Sequence, residues 1–194
     1  EALEEVRASG APVSTGHDAP PAGVDAWVRP WVVRMVERPL PAPRSSREPG
    51  AWRVLGTEDD PLASALAGRS DALPGSGVLV CLPAELDEQA PDLLLQAARA
   101  LTDAPDGVLV VAQRGGGGAG FARTLHLERP AVGVTVVDLP PDDPHATDRV
   151  LAEAAAALPG RYVEADYAAD GVRREPVLAV TPTRSGGTLP LGPD

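Results

Sequence analysis

A run of glycines between residues 115 and 120 has the spacing of a loop that binds the pyrophosphate of a dinucleotide. Gly115, Gly117 and Gly120 fit the pattern G-x-G-x-x-G, directly after the apolar run Val108–Val111. In such loops the backbone approaches the phosphates closely, and the phosphates bind at the N-terminus of the following helix. Asp138 ends the next apolar run, near the place where an acid binds the ribose hydroxyls. These residues are the candidate cofactor site of a self-standing dinucleotide-binding enzyme or sensor.

Two features of the same stretch favour an architectural loop instead. Four consecutive glycines, Gly115–Gly118, satisfy many glycine patterns by chance. The run also follows an internal strand, whereas the dinucleotide fingerprint normally opens the first β-α-β unit. We therefore expect a low-complexity crossover loop that binds no cofactor, and an Asp138 that caps a helix or orders a loop.

The absence of lysine excludes two kinds of nucleotide chemistry. All 17 residues counted as Lys or Arg are arginines. A P-loop needs its lysine, and short-chain dehydrogenases use Tyr-x-x-x-Lys, in which the lysine lowers the pKa of the tyrosine. Here the residue four after Tyr162 is Asp166, and the residue four after Tyr167 is Gly171. No serine-hydrolase elbow and no zinc ligand set can be found, so we predict no catalytic residue and no metal site.

Composition limits the class of protein further. The 194 residues suffice for one domain with tails, and the formal net charge of −11 argues against binding to nucleic acid or an anionic membrane. The single cysteine, Cys81, excludes an internal disulfide and favours a reducing compartment. No apolar run approaches the ~20 residues that span a bilayer, and the acidic N-terminus is not a signal peptide. We expect a cytoplasmic protein.

Apolar runs that alternate with helical patterns predict the elements that position these residues. Continuous apolar runs are typical of strands covered on both faces, and they follow one another at residues 52–56, 77–83, 107–113 and 134–140. Apolar residues at helical spacing fill the intervals between these runs. Asp60 and Pro61 are suited to begin the first helix, and Asp143 and Pro144 are suited to begin the last helix. The alternation predicts an α/β fold with right-handed crossovers and a parallel sheet between two helix layers.

The ends of the chain differ from this central pattern. Two alternating runs flank the sequence AADG and predict a β-hairpin, with Gly171 at a position of positive φ. Together with an early strand at Trp27–Val36, the hairpin is expected to add antiparallel strands at the sheet edge. Residues 1–26 and 182–194 have the composition of linkers, which leaves a domain at 27–181.

A partner domain could contact the early strand and the hairpin. The candidate contacts are two tryptophans and three arginines: Trp27, Trp31, Arg34, Arg173 and Arg174. Solvated strand faces and a small local core are alternative roles for these residues. A partner at this place predicts an exposed apolar patch near the early strand and the hairpin.

Four segments resemble a known family. The sequence GFARTLHLERPAVGVTVVDLP, residues 120–140, is similar to the segment G-(L/F)-(G/A)-R-(T/S)-L-x-L-E-x-P followed by V-D-L-P in ketoreductases of type I polyketide synthases. It lies there in the N-terminal structural subdomain. Residues 164–180 resemble the strand pair that ends this subdomain, and residues 31–41 and 188–194 resemble its entry strand and its exit. The wording GFARTLHLE is most similar to iterative synthases of the enediyne type.

The resemblance implies a fold and a role. Such subdomains have a truncated Rossmann-like fold, bind no nucleotide and brace the catalytic, NADPH-dependent ketoreductase subdomain among the neighbouring domains of the synthase. The cofactor glycines, serine, tyrosine and lysine of that family have no matching positions in this sequence, so none is assigned. The expected function is therefore structural and non-catalytic. A domain that interacts with an acyl carrier is a weaker alternative.

Overall fold

The computed structural model of the protein describes residues 31–41, 48–85, 87–102, 104 and 106–180. Both predicted linkers lie outside these residues, so their extent stays a prediction. The chain divides into two compact units. The larger is Arg34–Val177, and the smaller combines Glu1–Val33 with Leu178–Asp194.

Strands and helices alternate along the described residues. The strands are β1 Trp31–Glu37, β2 Pro49–Leu55, β3 Gly75–Cys81, β4 Val108–Gln113, β5 Gly133–Asp138, β6 Tyr162–Tyr167 and β7 Arg173–Val180. The helices are α1 Pro61–Ala67, α2 Gln89–Ala100, α3 Ala119–Glu128 and α4 Ala146–Ala156. The predicted buried strands and the helices between them are thus confirmed, with shifts of a few residues at their ends.

The strands form one sheet in the order β1-β7-β6-β5-β4-β3-β2. The strands from β2 to β6 are parallel to their neighbours, and β7 runs antiparallel to β6. Gly171, in the turn between β6 and β7, has a φ of 77°. The predicted hairpin and the mainly parallel sheet with an antiparallel edge are therefore confirmed.

Helices cover both faces of the sheet and give a three-layer, Rossmann-like α/β fold. On one face α2 and α3 pack against Val80 of β3 and Val111 of β4. On the other face α1 and α4 pack against Leu79 and Val110 of the same strands. Every residue of β4 is buried, because helices lie on both sides of this central strand.

The expectation of uniformly right-handed crossovers is wrong for one pair of helices. From β2 to β6 every connection steps in the same direction along the sheet. Crossovers of one hand would then place all four helices on the same face, whereas α1 and α4 lie opposite α2 and α3. In a strand order without reversal, both faces can be covered only by crossovers of both hands. The crossovers through one of the two helix pairs, α1 and α4 or α2 and α3, are therefore left-handed.

Polar side chains fix the beginnings of α1 and α4 differently. Asp60 is the N-cap of α1, as predicted, and its Oδ1 accepts a hydrogen bond from the Leu62 amide at 2.9 Å. Asp143 was expected to begin the last helix. Its Oδ1 instead accepts from the His145 amide at 3.0 Å and its Oδ2 from the Arg149 guanidinium at 2.7 Å, so it orders the turn before α4. The helix begins three residues later for this reason.

No helix among the described residues is long and apolar enough to cross a membrane.

Candidate functional site

The glycine loop lies where two neighbouring connections leave the sheet in opposite directions. It joins the carboxyl end of β4 to α3 on one face, while the connection after β5 leads to α4 on the other face. The two connections thus diverge after Gln113 and Asp138, the last residues of the paired strands β4 and β5, and we call the place between these connections the crevice. Ligands of open α/β sheets bind beyond the carboxyl ends of the strands, where neighbouring connections diverge, although here the strand order does not reverse. The candidate site is thus in a suitable place, and its chemistry depends on the side chains there.

The glycines of the loop do not have the geometry that the dinucleotide pattern requires. Gly115, Gly116 and Gly117 have φ values of 116°, 94° and 102°, so the path of the loop itself needs glycine at all three positions. The third glycine of the pattern should let the helix pack closely on a strand. Gly120 has open space where a Cβ would lie. A Cβ on Gly118 would instead come within 2.7 Å of Val111 Cγ1, so close packing occurs two residues too early for the pattern.

Gln113 occupies the N-terminus of α3. Its Oε1 accepts a hydrogen bond from the Gly118 amide at 2.8 Å, and its side-chain nitrogen donates to Asp138 Oδ2 at 3.2 Å. Gln113 is buried, with an exposed fraction of 4%. A helix N-terminus binds phosphate through such backbone amides. The Gly118 N–H, which a phosphate would need, is therefore already bonded to the side-chain carboxamide of Gln113.

Carboxylates make the crevice unfavourable for a second anion. Asp138 lies beside Asp166 in the register of β5 and β6. Burial raises the pKa of the Asp166 carboxyl above its ordinary value, and the nearby charge of Asp138 raises it further. A pyrophosphate would add negative charge to this pair. The side chains here therefore do not fit a dinucleotide, and Asp138 accepts a hydrogen bond that orders the loop.

The arginine next to the glycines is committed to the fold. Arg114 Nη2 donates to Asp60 Oδ2 at 2.6 Å and to the Leu82 carbonyl at 3.2 Å. The ion pair joins the glycine loop to the beginning of α1 and to the end of β3, and both side chains are mostly buried. No local pattern predicts this contact, because Arg114 and Asp60 are far apart along the chain. One nitrogen of the guanidinium, Nη2, is thus engaged by Asp60 and Leu82, whereas the buried Nε has no hydrogen-bond partner among the described residues.

The remaining reactive side chains form no catalytic group among the described residues. Cys81 is buried, and burial followed by the charge of Asp60 raises the pKa of its thiol to about 12. His126 Nδ1 lies 3.3 Å from the Val132 carbonyl oxygen, and its ring is 5.6 Å from that of Tyr162. Within the described ranges, no three His, Cys, Asp or Glu side chains are grouped as a metal site.

The structure separates the candidate partner contacts. Trp27 lies outside the described residues, while Trp31 and Arg34 are exposed on β1. Arg173 was expected at an exposed surface, but its guanidinium is buried against the Glu153 carboxylate of α4. Arg174 forms an ion pair with Asp170 at 2.6 Å and is largely covered. Both arginines of the hairpin are thus ion-paired within the chain, and their contact with a partner domain stays a prediction.

Comparisons with known proteins add one finding. No protein-family model matches the chain, and no curated protein matches it. Among solved structures, the chain is similar to a multidomain structure described as the adenylation, ketoreductase and pseudo Asub domains of a keto acid-selecting NRPS module. The similarity is one of fold. The match has 12% sequence identity and a TM-score of 0.50, and it covers 81% of this chain. This chain spans 19% of the length of that structure.

Proposed function

We propose that the chain is the non-catalytic structural subdomain of a polyketide synthase ketoreductase region. Its role is to brace a catalytic, NADPH-dependent ketoreductase subdomain and to hold it among the neighbouring domains of the synthase. The segment at residues 120–140 and its similarity to the structural subdomain of such ketoreductases support the proposal. The similarity in fold to a multidomain structure that includes a ketoreductase and a pseudo Asub domain is consistent with the proposal.

The observation that carries the proposal is the exposure of apolar side chains on β1. All seven residues of this strand are exposed, although five of them are Trp, Val or Met. In the smaller unit the ends of β1 and β7 present Trp31, Val33, Leu178 and Val180, and we call these four side chains the ribbon surface. Trp31 is 56% exposed and Leu178 65%. An apolar surface of this kind on an edge strand indicates an interaction with another protein surface.

A structural role is also supported by the side chains of the described residues, which form no catalytic group. Gln113 takes the phosphate position at α3, Asp138 and Asp166 bring negative charge to the crevice, and no lysine is present in the sequence. Proton transfer and ribose binding in short-chain reductases depend on a lysine that arginine cannot replace. The catalytic groups must therefore come from a partner.

A binding experiment with the catalytic subdomain of the same synthase tests the proposal. The two purified proteins are expected to form a one-to-one complex in analytical ultracentrifugation and calorimetry. Trp31→Asp and Val33→Asp should each weaken the complex, the tryptophan by about 2 kcal/mol or more, because buried tryptophans dominate interface energies. Leu127→Asp is the matched control, because Leu127 is 81% exposed on α3 and is not one of the four side chains of the ribbon surface. The proposal fails if no complex forms, or if the three variants bind equally well.

A dinucleotide-binding enzyme or sensor is the second candidate, since the glycine loop does lie in a crevice between diverging connections. Titration of the isolated chain with NADPH tests it. A Gly117→Val variant would abolish binding in this case, because valine is strained at a φ of 102°. Saturable binding that the variant abolishes would favour this candidate. We expect no binding by either protein.

A further inference from the structure

A groove lies beside β2, the last strand in the order of the described sheet, and is lined by residues of β2, β3 and α2. It has a volume of about 630 Å³ and lies on the face covered by α2. Arg53 of β2 and Gln96 and Arg99 of α2 line it, and Ser76 and small apolar residues complete its wall. No described residue of this wall carries a carboxylate. The groove thus lies next to a strand edge and has a polar rim with two positive charges.

The edge of β2 can accept another strand. β2 is the last strand in the sheet order, and β3 is its neighbour on the inner side. The main-chain groups on its outer side therefore take no part in the ladder of the described strands. Extended peptides bind to edges of this kind by adding a strand, and pockets beside the edge receive every second side chain.

Two exposed arginines line the groove. Arg53 and Arg99 are exposed, and neither forms an ion pair or a side-chain hydrogen bond with another described residue. Arg69 and Arg174, by contrast, are paired with Asp148 and Asp170. A charged residue on an edge strand can simply discourage pairing. That purpose does not require a second arginine on the neighbouring helix, across a groove and without a counter-ion among the described residues.

We propose that β2 and this groove bind an extended acidic peptide segment of another protein or domain. The segment adds a strand to β2 and directs every second side chain toward α2, because side chains alternate along a strand. Carboxylates at those positions meet Arg53 and Arg99. Although the chain has a net charge of −11, the wall of the groove is locally positive, because its described residues include two arginines and no carboxylate. The inference is independent of the bracing role, since β1 and β2 are at opposite ends of the strand order.

The test uses a fluorescein-labelled octapeptide of alternating glutamate and threonine and the full chain. At low salt, fluorescence anisotropy is expected to show saturable binding. Arg53→Glu and Arg99→Glu should each weaken it roughly tenfold or more, because a charge reversal replaces an attraction by a repulsion. The same peptide N-methylated at every second residue, in both registers, should fail in at least one register, since N-methylation removes the donors of a strand ladder. Arg161→Glu is the matched control and should bind normally, because Arg161 is exposed and lies before β6, outside the groove.

Three results would overturn the inference: no saturable binding by the folded wild-type chain, unchanged binding by both groove variants, or undiminished binding of both N-methylated peptides. Competition with inorganic pyrophosphate distinguishes binding of an added strand from binding of any polyanion. Displacement of the peptide at equal charge concentration would show that the groove takes any polyanion and that no strand is added. Circular dichroism of each variant establishes that it is folded before binding is measured.

Discussion

The guanidinium of Arg173 and the carboxylate of Glu153 face each other in the interior of the larger unit. Their side chains are only 6% and 3% exposed, and both Nε and Nη2 of the arginine donate to the carboxylate. The Tyr167 hydroxyl donates to the same carboxylate at 2.8 Å. Arg173 Nη1 also donates to the Arg38 carbonyl at 3.0 Å. One buried ion pair thus joins α4, β6 and β7 to the chain that follows β1.

Removal of one partner from this ion pair is expected to be costly. Glu153→Ala leaves the buried guanidinium with only the partly exposed carboxylate of Glu175, 2.8 Å from Nη1, as a counter-ion. We predict a loss of about 3 kcal/mol in the free energy of unfolding, the lower end of the range for a broken buried pair. Urea denaturation measures it. The double variant Glu153→Leu, Arg173→Met should recover most of the loss, because it removes both charges. Arg69→Ala, which breaks an exposed pair, is the control and should cost less than about 1 kcal/mol. A Glu153→Ala protein as stable as this control would contradict the prediction.

Two glycines of the same loop should respond in opposite ways to alanine. A Cβ on Gly118 would overlap Val111 Cγ1 and lie 3.0 Å from Leu82 Cδ1, so Gly118→Ala should lose about 1–3 kcal/mol through overpacking. Gly120 lies in the first turn of α3 and has open space around it. Gly120→Ala should therefore stabilise the helix by about 0.5–1 kcal/mol. Thermal and urea unfolding of the two variants measures the difference. If Gly120 were the more sensitive position, the dinucleotide pattern would describe the loop after all.

The carboxyl of Asp166 should lower stability at neutral pH. Burial, and then the charge of Asp138, raise its pKa in the folded chain, so the folded protein binds this proton more tightly than the unfolded one. The ionisation of Asp166 therefore opposes folding above the raised pKa and has no effect below the ordinary pKa. Asp166→Asn should raise the unfolding midpoint at pH 7 and leave it unchanged in strong acid. Asp142→Asn, at an exposed position, is the control. An Asp166→Asn protein that gains nothing at pH 7 would refute this explanation.

The thiol of Cys81 should be inert in the folded protein. Its side chain is buried in β3, and the pKa of the thiol is raised to about 12, so almost no thiolate exists at pH 8. Labelling with a disulfide reagent at pH 8 should therefore proceed at the rate of unfolding and should become rapid and complete in urea. Rapid, stoichiometric labelling without denaturant would show that Cys81 is accessible.

Local patterns predicted the elements well, because their signals are short in range. The apolar run of β4 indicated a strand covered on both faces, and all of its residues are buried. Asp60 was identified as a helix cap and Gly171 as a turn residue of positive φ, and the structure has both. Each of these properties depends on a few neighbouring residues.

Contacts between distant residues could not be predicted in the same way. Arg173 follows the alternating pattern of an exposed strand, and its burial depends on Glu153, which lies 20 residues earlier on α4. The hydrogen bond from Gln113 to Asp138 depends on which strands are neighbours, and no local pattern contains that information. The distribution of helices between the two faces is likewise a property of the whole sheet. The position of the glycine loop was therefore predictable, whereas the groups that occupy its crevice were not.

The rate of NADPH oxidation in the presence of a small ketone is the most direct measurement of the proposed role. Three samples are compared: the isolated chain, the catalytic ketoreductase subdomain of the same synthase, and an equimolar mixture. The account predicts no oxidation by the chain alone, and a mixture whose activity survives heating that inactivates the catalytic subdomain by itself. Oxidation by the chain alone, or a mixture no more durable than the catalytic subdomain, would contradict it.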